Sequence, residues 1–402
     1  MTPSARTALL FASAGHALCH GSKLVLAVQV LAAMAGFGVE REAIGPALAG
    51  FGLAMGLCSV PAGLLSDRWG PGRTLLLYLW LLAAAAVLCT LAEGLLAFTL
   101  AHALLGGASG LYHPPGLALL SFAGRREERG WLMGWHGMLG QAGPIFAPLV
   151  VSAVAPQWGW RAPYLALAAT TVLVALVGHV LVARGRLPLD VPARHEPPSE
   201  GALQRRTLAL LLLVMCINGF LLDGFLSLFP TTVELAGVQP TRGANWDHED
   251  VVALILLLSV IGPALGGWLA RGPAPTRRYV WVLLVQPGVL LGAAFALDRP
   301  QAAFALFAAF ALLSYLAQPI ENLLLAGYTT GARRGAAYAL KFCLVWGVGA
   351  GAPLLLLPLV ESEYASRHGR DAVGYAVLGV LAAAGAVGAL LFARRLPRAA
   401  SA

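Results

Sequence analysis

Four ionisable residues, Lys23, Asp223, Glu321 and Lys341, stand inside long apolar stretches of this 402-residue chain. An ionised group at the centre of a bilayer costs about 2.5–3.5 kcal/mol on insertion scales, so each must be paired or put to use. Their charges sum to zero, which permits pairing. Glu321 lies seven residues before Tyr328 and Lys341 seven after Arg334, which sets both at similar depth on successive helices. A Glu321–Lys341 ion pair is therefore expected, serving either transport or architecture alone. Asp223 falls midway along its stretch and is the first candidate for taking up and releasing a proton. Its alternative is a satisfied acid, bonded to neighbouring hydroxyls or to Lys23.

His16, His20 and Lys23 follow i, i+4, i+7 spacing and make one polar stripe on a helix. His113 and His136 can extend it into a histidine-lined wall, a second candidate for proton coupling because imidazole titrates near physiological pH. The plainer reading of each is a hydrogen-bonded packing residue. His16 and His20 could share a metal ion, but no thiolate or carboxylate set accompanies them in that half, so no metal is expected. Gln141, Asn218, Gln318 and Asn322 offer neutral hydrogen bonds, suited to orienting a polar solute or to joining helices. No cofactor is expected beyond protons as coupling ion. His102 and His179 receive no role, and Trp246 to Asp250 reads as an acidic outer cap.

The elements that position these groups follow from composition. Hydrophobic residues make up 58% and charged residues 11%, against about a quarter charged in soluble domains. Charge-free runs at 43–66, 74–92, 94–124, 130–160, 162–183, 251–270, 279–297, 300–320, 342–360 and 372–393 are each long enough to cross about 30 Å of hydrocarbon at 1.5 Å per residue. Two further stretches, near 8–36 and 207–236, are interrupted by Lys23, and by Asp223 and Glu234. That gives twelve spans. The runs exceed barrel strands and lack their alternation, so helices must satisfy the backbone and the chain is expected to be all-α. The patch before Ala12-Ser13-Ala14 is too short for a signal-peptide core, and the first span is read as uncleaved.

With a cytoplasmic N-terminus, nineteen arginines fall on the inner side and six, Arg41, Arg161, Arg242, Arg299, Arg367 and Arg370, on the outer, as the positive-inside rule requires. The net charge of +8 thus reports topology rather than nucleic acid, since no basic stripe accompanies stacking aromatics. The five cysteines lie within spans without paired spacing, favouring neither disulfides nor a zinc site. Both termini are placed in the cytoplasm, in a bacterial inner membrane, and a monomer is expected.

Residues 184–206 are proline-rich and charged, a cytoplasmic linker between six-helix bundles at 1–183 and 207–402. At an offset of 205, His113-Pro114 aligns with Gln318-Pro319, Arg129-Gly130 with Arg334-Gly335, and His136 with Lys341; at 203, Gly15-His16 and His20-Gly21 align with Asn218-Gly219 and Asp223-Gly224. Duplicated bundles are expected, with polar residues recurring in the first, fourth and fifth helices of each. Such halves suit alternating access about a central site.

After the second span the chain reads Gly63-Leu-Leu-Ser-Asp67-Arg68-Trp-Gly70-Pro-Gly-Arg73. This resembles the loop motif between helices two and three of the major facilitator superfamily. The resemblance implies that fold of two pseudo-symmetric bundles, with Asp67 and Arg68 helping to latch the outward-facing state and Arg73 holding the cytoplasmic face. The second-half loop, Gly266-Gly267-Trp-Leu-Ala-Arg271, lacks the aspartate. Leu111-Tyr112-His113-Pro114-Pro115-Gly116 and the run Gly137 to Pro144 are similar to segments of fosmidomycin-resistance efflux proteins. Gly140 to Pro144 also resembles the glycine-proline motif of drug:proton antiporters.

The expected function is secondary transport of a small solute, proton-coupled and outward. The alternatives are uptake of a nutrient, anion or metal chelate, with Lys23, Lys341 and the histidines binding negative groups, and a non-transporting receptor or scaffold. An intramembrane enzyme is disfavoured because no nucleophile–base or His-Glu metal motif appears.

Overall fold

The apolar stretches all become helix, the form in which a chain satisfies its backbone without help from lipid. The computed structural model describes residues 3–123, 129–187, 189, 205–243, 245–271, 274–328, 331–361 and 369–396. Most of the 184–206 linker lies outside the described residues, as do Arg125, Arg126, Arg194, Arg367, Arg398 and the side chains of Arg129, Arg271, Arg333, Arg334 and Arg370.

The helices are α1 (Pro3–Val28), α2 (Val30–Phe37), α3 (Gly45–Trp69), α4 (Pro71–Leu91), α5 (Leu95–Gly110), α6 (His113–Ala123), α7 (Arg129–Gly140), α8 (Ala142–Trp158) and α9 (Ala162–Ala183). There follow α10 (Arg205–Leu235), α11 (His248–Ser259), α12 (Ile261–Arg271), α13 (Pro275–Ala294), α14 (Pro300–Tyr328), α15 (Gly331–Gly349), α16 (Gly351–Glu361) and α17 (Arg370–Arg394). Ten segments are long and apolar enough to cross a membrane, and α1 with α2, bent by 58°, makes an eleventh. The twelfth is α13, less apolar because Arg277, Arg278 and Gln286 stand in it.

Besides the bent α1–α2 pair, four spans among the described residues are composite, and one cause serves these four. The breaks fall at Leu111-Tyr112, Gln141, Val260 and Ala350, and Pro114, Pro144, Pro263 and Pro353 follow within three residues. A proline lacks the N–H for the helical ladder, and its ring clashes with the carbonyl four residues earlier. The freed groups then sit inside protein rather than against lipid, the condition under which broken helices are tolerated.

The chain forms two compact units, Met1–Glu40 with Pro46–Arg194, and Arg41–Gly45 with His195–Ala402. In the first, α1 packs on α7 and α8, α4 on α9, and Gly106 of α5 meets the Phe51 backbone of α3. In the second, α10 packs on α15, α13 on α17 and α12 on α14. Both units therefore pair their first span with the fifth, third with the sixth and second with the fourth, the packing that an internal repeat demands. Small residues permit the crossings: a Cβ on Gly143 would strike the Ala17 carbonyl of α1.

The second unit holds a polar cluster that sequence reading missed. Arg41 is only 2% exposed, and its Nη1 donates to Asp371 Oδ1 at 2.9 Å. Asp371 Oδ2 accepts from Thr232 Oγ1 at 2.6 Å, and Tyr375 donates to the same hydroxyl at 3.0 Å. From sequence Arg41 has a topological role only, because an arginine beside a helix end looks like any other loop charge. Truncating one member of a buried pair strands the other charge, so Arg41→Met should lower unfolding stability by about 3–5 kcal/mol. Thermal unfolding in detergent checks this, and Arg41→Met/Asp371→Leu should recover most of the loss.

Candidate functional site

Within the first unit, α1, α6 and α7 bring four histidines together. His16 and His20 share one face of α1, His113 opens α6 immediately after the Tyr112 break, and His136 lies near the end of α7. The His16 and His20 Nε2 atoms are 3.0 Å apart, and His16 Nδ1 lies 3.2 Å from the His136 carbonyl oxygen. The His16 ring stacks on His136 at 4.4 Å and meets His113 edge-on at 5.1 Å. One ring nitrogen from each of His16, His20 and His113 falls within 4.8 Å of the other two.

Local sequence makes this possible. Gly140 backs the His16 ring, and a Cβ there would collide with Nδ1. Tyr112, fully buried, donates to the Ala12 carbonyl and approaches His136 Nε2 at 3.3 Å. Ser13 Oγ is 3.4 Å from His136 Nδ1, and Cys19 Sγ is 3.7 Å from His113 Nε2. Lys23 follows one turn after His20, half-buried, and Gln141 is buried at the break between α7 and α8.

The second unit builds its counterpart on α10, α14 and α15. Glu321 and Lys341 form the expected pair, Nζ to Oε2 at 3.1 Å, with both side chains buried. Asn218 Nδ2 and the Tyr279 hydroxyl donate to Glu321 Oε1 at 2.9 and 3.0 Å. Lys341 Nζ donates to Asn322 Oδ1 at 2.7 Å, and Gln286 Nε2 to Asn218 Oδ1 at 3.3 Å. The carboxylate thus has three donors, the arrangement a buried charge requires. Asp223 is also buried on α10, but it abuts Gly349 at the end of α15, where any Cβ would strike its carboxyl. Gln318 is half-buried on α14, one turn before Asn322.

Tyr279 and Gln286 were missed, because a tyrosine counts as apolar in a span and one glutamine does not interrupt it. Their only signal is position on α13, the least apolar span. His102 and His179 lie elsewhere: His102 Nδ1 is 2.9 Å from the Ala47 carbonyl oxygen in an aromatic nest, and Trp80 Nε1 donates to His179 at 3.1 Å. His248 bridges Glu234 and Glu249 at 3.3 and 3.2 Å at the start of α11.

In the loop motif, Asp67 and Arg68 are exposed at the end of α3, and Gly63 stands 3.9 Å from Pro114 by its would-be Cβ. Gly70 turns the chain at φ 88°, a conformation that penalises a Cβ. Arg73 Nη1 donates to the Trp69 carbonyl at 2.9 Å, closing the turn.

Known proteins match this chain in sequence and fold. The Spinster homologue from bacteria, solved inward-facing and occupied and related to a human lysosomal transporter, superposes with a TM-score of 0.75 at 16% identity, covering 98% of each chain. The drug efflux pump JefA of Mycobacterium tuberculosis is 27% identical over 183 residues, 44% of this chain but only 36% of the pump's own length. The probable L-galactonate transporter of Escherichia coli K12 is 22% identical over 289 residues, 66% of this chain and 62% of that one. The sequence profile of the Major Facilitator Superfamily matches residues 9–353. With that profile running through both helical units, this multi-pass membrane protein belongs to the Major Facilitator Superfamily of transporters.

Proposed function

We infer that the chain is a proton-coupled exporter of a small solute, working by alternating access in a bacterial inner membrane with both termini in the cytoplasm. The observation that carries this reading is that two buried carboxyl groups bear on one helix. Glu321 holds α15 through Lys341 at 3.1 Å, and the Asp223 carboxyl lies against it at Gly349, beside the break into α16. A carboxyl that gains or loses a proton changes its fit against such a helix, which gives protons a handle on conformation. A bound species shifts an equilibrium only through its different affinity for the two states. Asp223 is assigned as the coupling acid because it lies against the end of α15 at that break. The Glu321–Lys341 pair, with Asn218 and Asn322 beside it, is assigned to the solute pathway. Outward direction is supported by the likeness to a drug efflux pump. The likeness to a probable L-galactonate transporter supports a second reading, uptake of an anionic solute met by Lys341.

In proteoliposomes with an imposed pH gradient, Asp223→Asn should reduce gradient-driven transport by roughly 5- to 150-fold, the range of ordinary coupling energies. Its thermal unfolding should stay near that of the parent; full retention of coupling would remove Asp223 from the mechanism. The direction of proton flux on adding solute separates export from uptake.

Glu321→Gln should destabilise the fold by about 3–5 kcal/mol by stranding the lysine charge. In Glu321→Gln/Lys341→Met the fold should recover while transport does not, and recovery of both would make the pair architectural.

A further inference from the structure

We propose that His16, His20 and His113 form a binding site for a divalent transition-metal ion of the zinc, cobalt or nickel class. The i, i+4 placement of His16 and His20 is the spacing by which one helix face offers two imidazoles to a metal. Their Nε2 atoms stand 3.0 Å apart. Zinc with Zn–N bonds of about 2.0–2.1 Å sets neighbouring tetrahedral ligand atoms about 3.3 Å apart. His113 brings a third nitrogen into the same 4.8 Å group, so closing on an ion requires ring movements on the order of an ångström.

The tautomer is the right one. The His136 carbonyl can only accept, so His16 Nδ1, at 3.2 Å, carries the hydrogen. Its Nε2 then presents a lone pair toward His20. A backbone carbonyl behind the far nitrogen is the usual support of a metal-bound imidazole. His136 itself is occupied, its nitrogens facing Ser13 Oγ at 3.4 Å and the Tyr112 hydroxyl at 3.3 Å, so it backs the triad rather than joining it.

The ligands are neutral and include no carboxylate, which selects ions that favour imidazole over magnesium or calcium, whose sites are built of oxygen. His20 is half-buried, leaving a side open to water or an incoming ligand. Lys23, one turn on, opposes a permanently held dication and favours one that exchanges. Sequence groups His113 with the α1 pair only as part of a wall; the approach to ligand distance comes from α6, 93 residues beyond His20. This inference concerns binding and rests on neither proton coupling nor direction.

The test uses the full chain carrying no polyhistidine tag, stripped with a chelator, placed in nanodiscs and titrated with Co²⁺ while visible absorption is followed. One equivalent should bind, be displaced by Zn²⁺ and resist excess Mg²⁺ or Ca²⁺. His20→Ala and His113→Gln should each weaken binding by roughly tenfold or more, and Gly140→Ala should do so with every imidazole retained. His179→Ala, on the exposed face of α9, should leave binding unchanged. Zn²⁺ should also raise the unfolding temperature of the parent protein and not that of His20→Ala, a readout that holds if a variant folds poorly. Failure to saturate, undiminished affinity in His20→Ala and His113→Gln, or equal loss in His179→Ala would overturn the assignment.

Discussion

Charge inside hydrocarbon is tolerated only where its partners are fixed, and the Glu321–Lys341 pair shows what fixing it requires. The two groups meet at 3.1 Å. Asn218 and Tyr279 fill the remaining acceptor capacity of the carboxylate, and Asn322 takes a lysine hydrogen. These partners come from α10, α13, α14 and α15, so four of the second unit's six spans must be correctly docked before the charges are satisfied. The pair is therefore a specification of packing as much as a functional group, and any state that separates those helices must find another way to hold the same charges.

The first unit meets a different constraint with the same plan. Its first, fourth and fifth spans contribute imidazoles where the second unit contributes amides, a carboxylate and an ammonium. Imidazole can stay neutral in an apolar setting and still offer a donor and an acceptor, so that cluster needs stacking and a few hydrogen bonds rather than a full charge network. His16 stacked on His136 at 4.4 Å is the result. The two units thus share a way of packing while differing in the chemistry placed at the shared position.

Broken helices recur at both sites. His113 starts α6 directly after a break, Gln141 occupies another, and Asp223 lies against the residue that precedes the break at Ala350. Each break has a proline shortly after it, which frees a carbonyl four residues earlier. Polar side chains and disrupted backbone therefore occur together. The association is economical, since both must be kept from lipid and the same protein interior serves for each.

Much of this could be read in the chain itself. Long charge-free runs determined the spans, because a helix must be apolar to cross lipid, and equal spacing of Glu321 and Lys341 from one turn placed them side by side. Only the tertiary structure decided that Arg41 would be buried on Asp371, that Tyr279 and Gln286 would serve the second cluster, that His102 would stand apart in an aromatic nest, and how closely His113, already grouped with the α1 histidines by sequence, would approach them. Periodicity reports which face of a helix is polar. Which neighbouring helix meets that face, and at what height, depends on glycine-sized gaps such as Gly140 and Gly143 and on proline breaks, whose effect on distant side chains is geometric and leaves no local mark in the sequence.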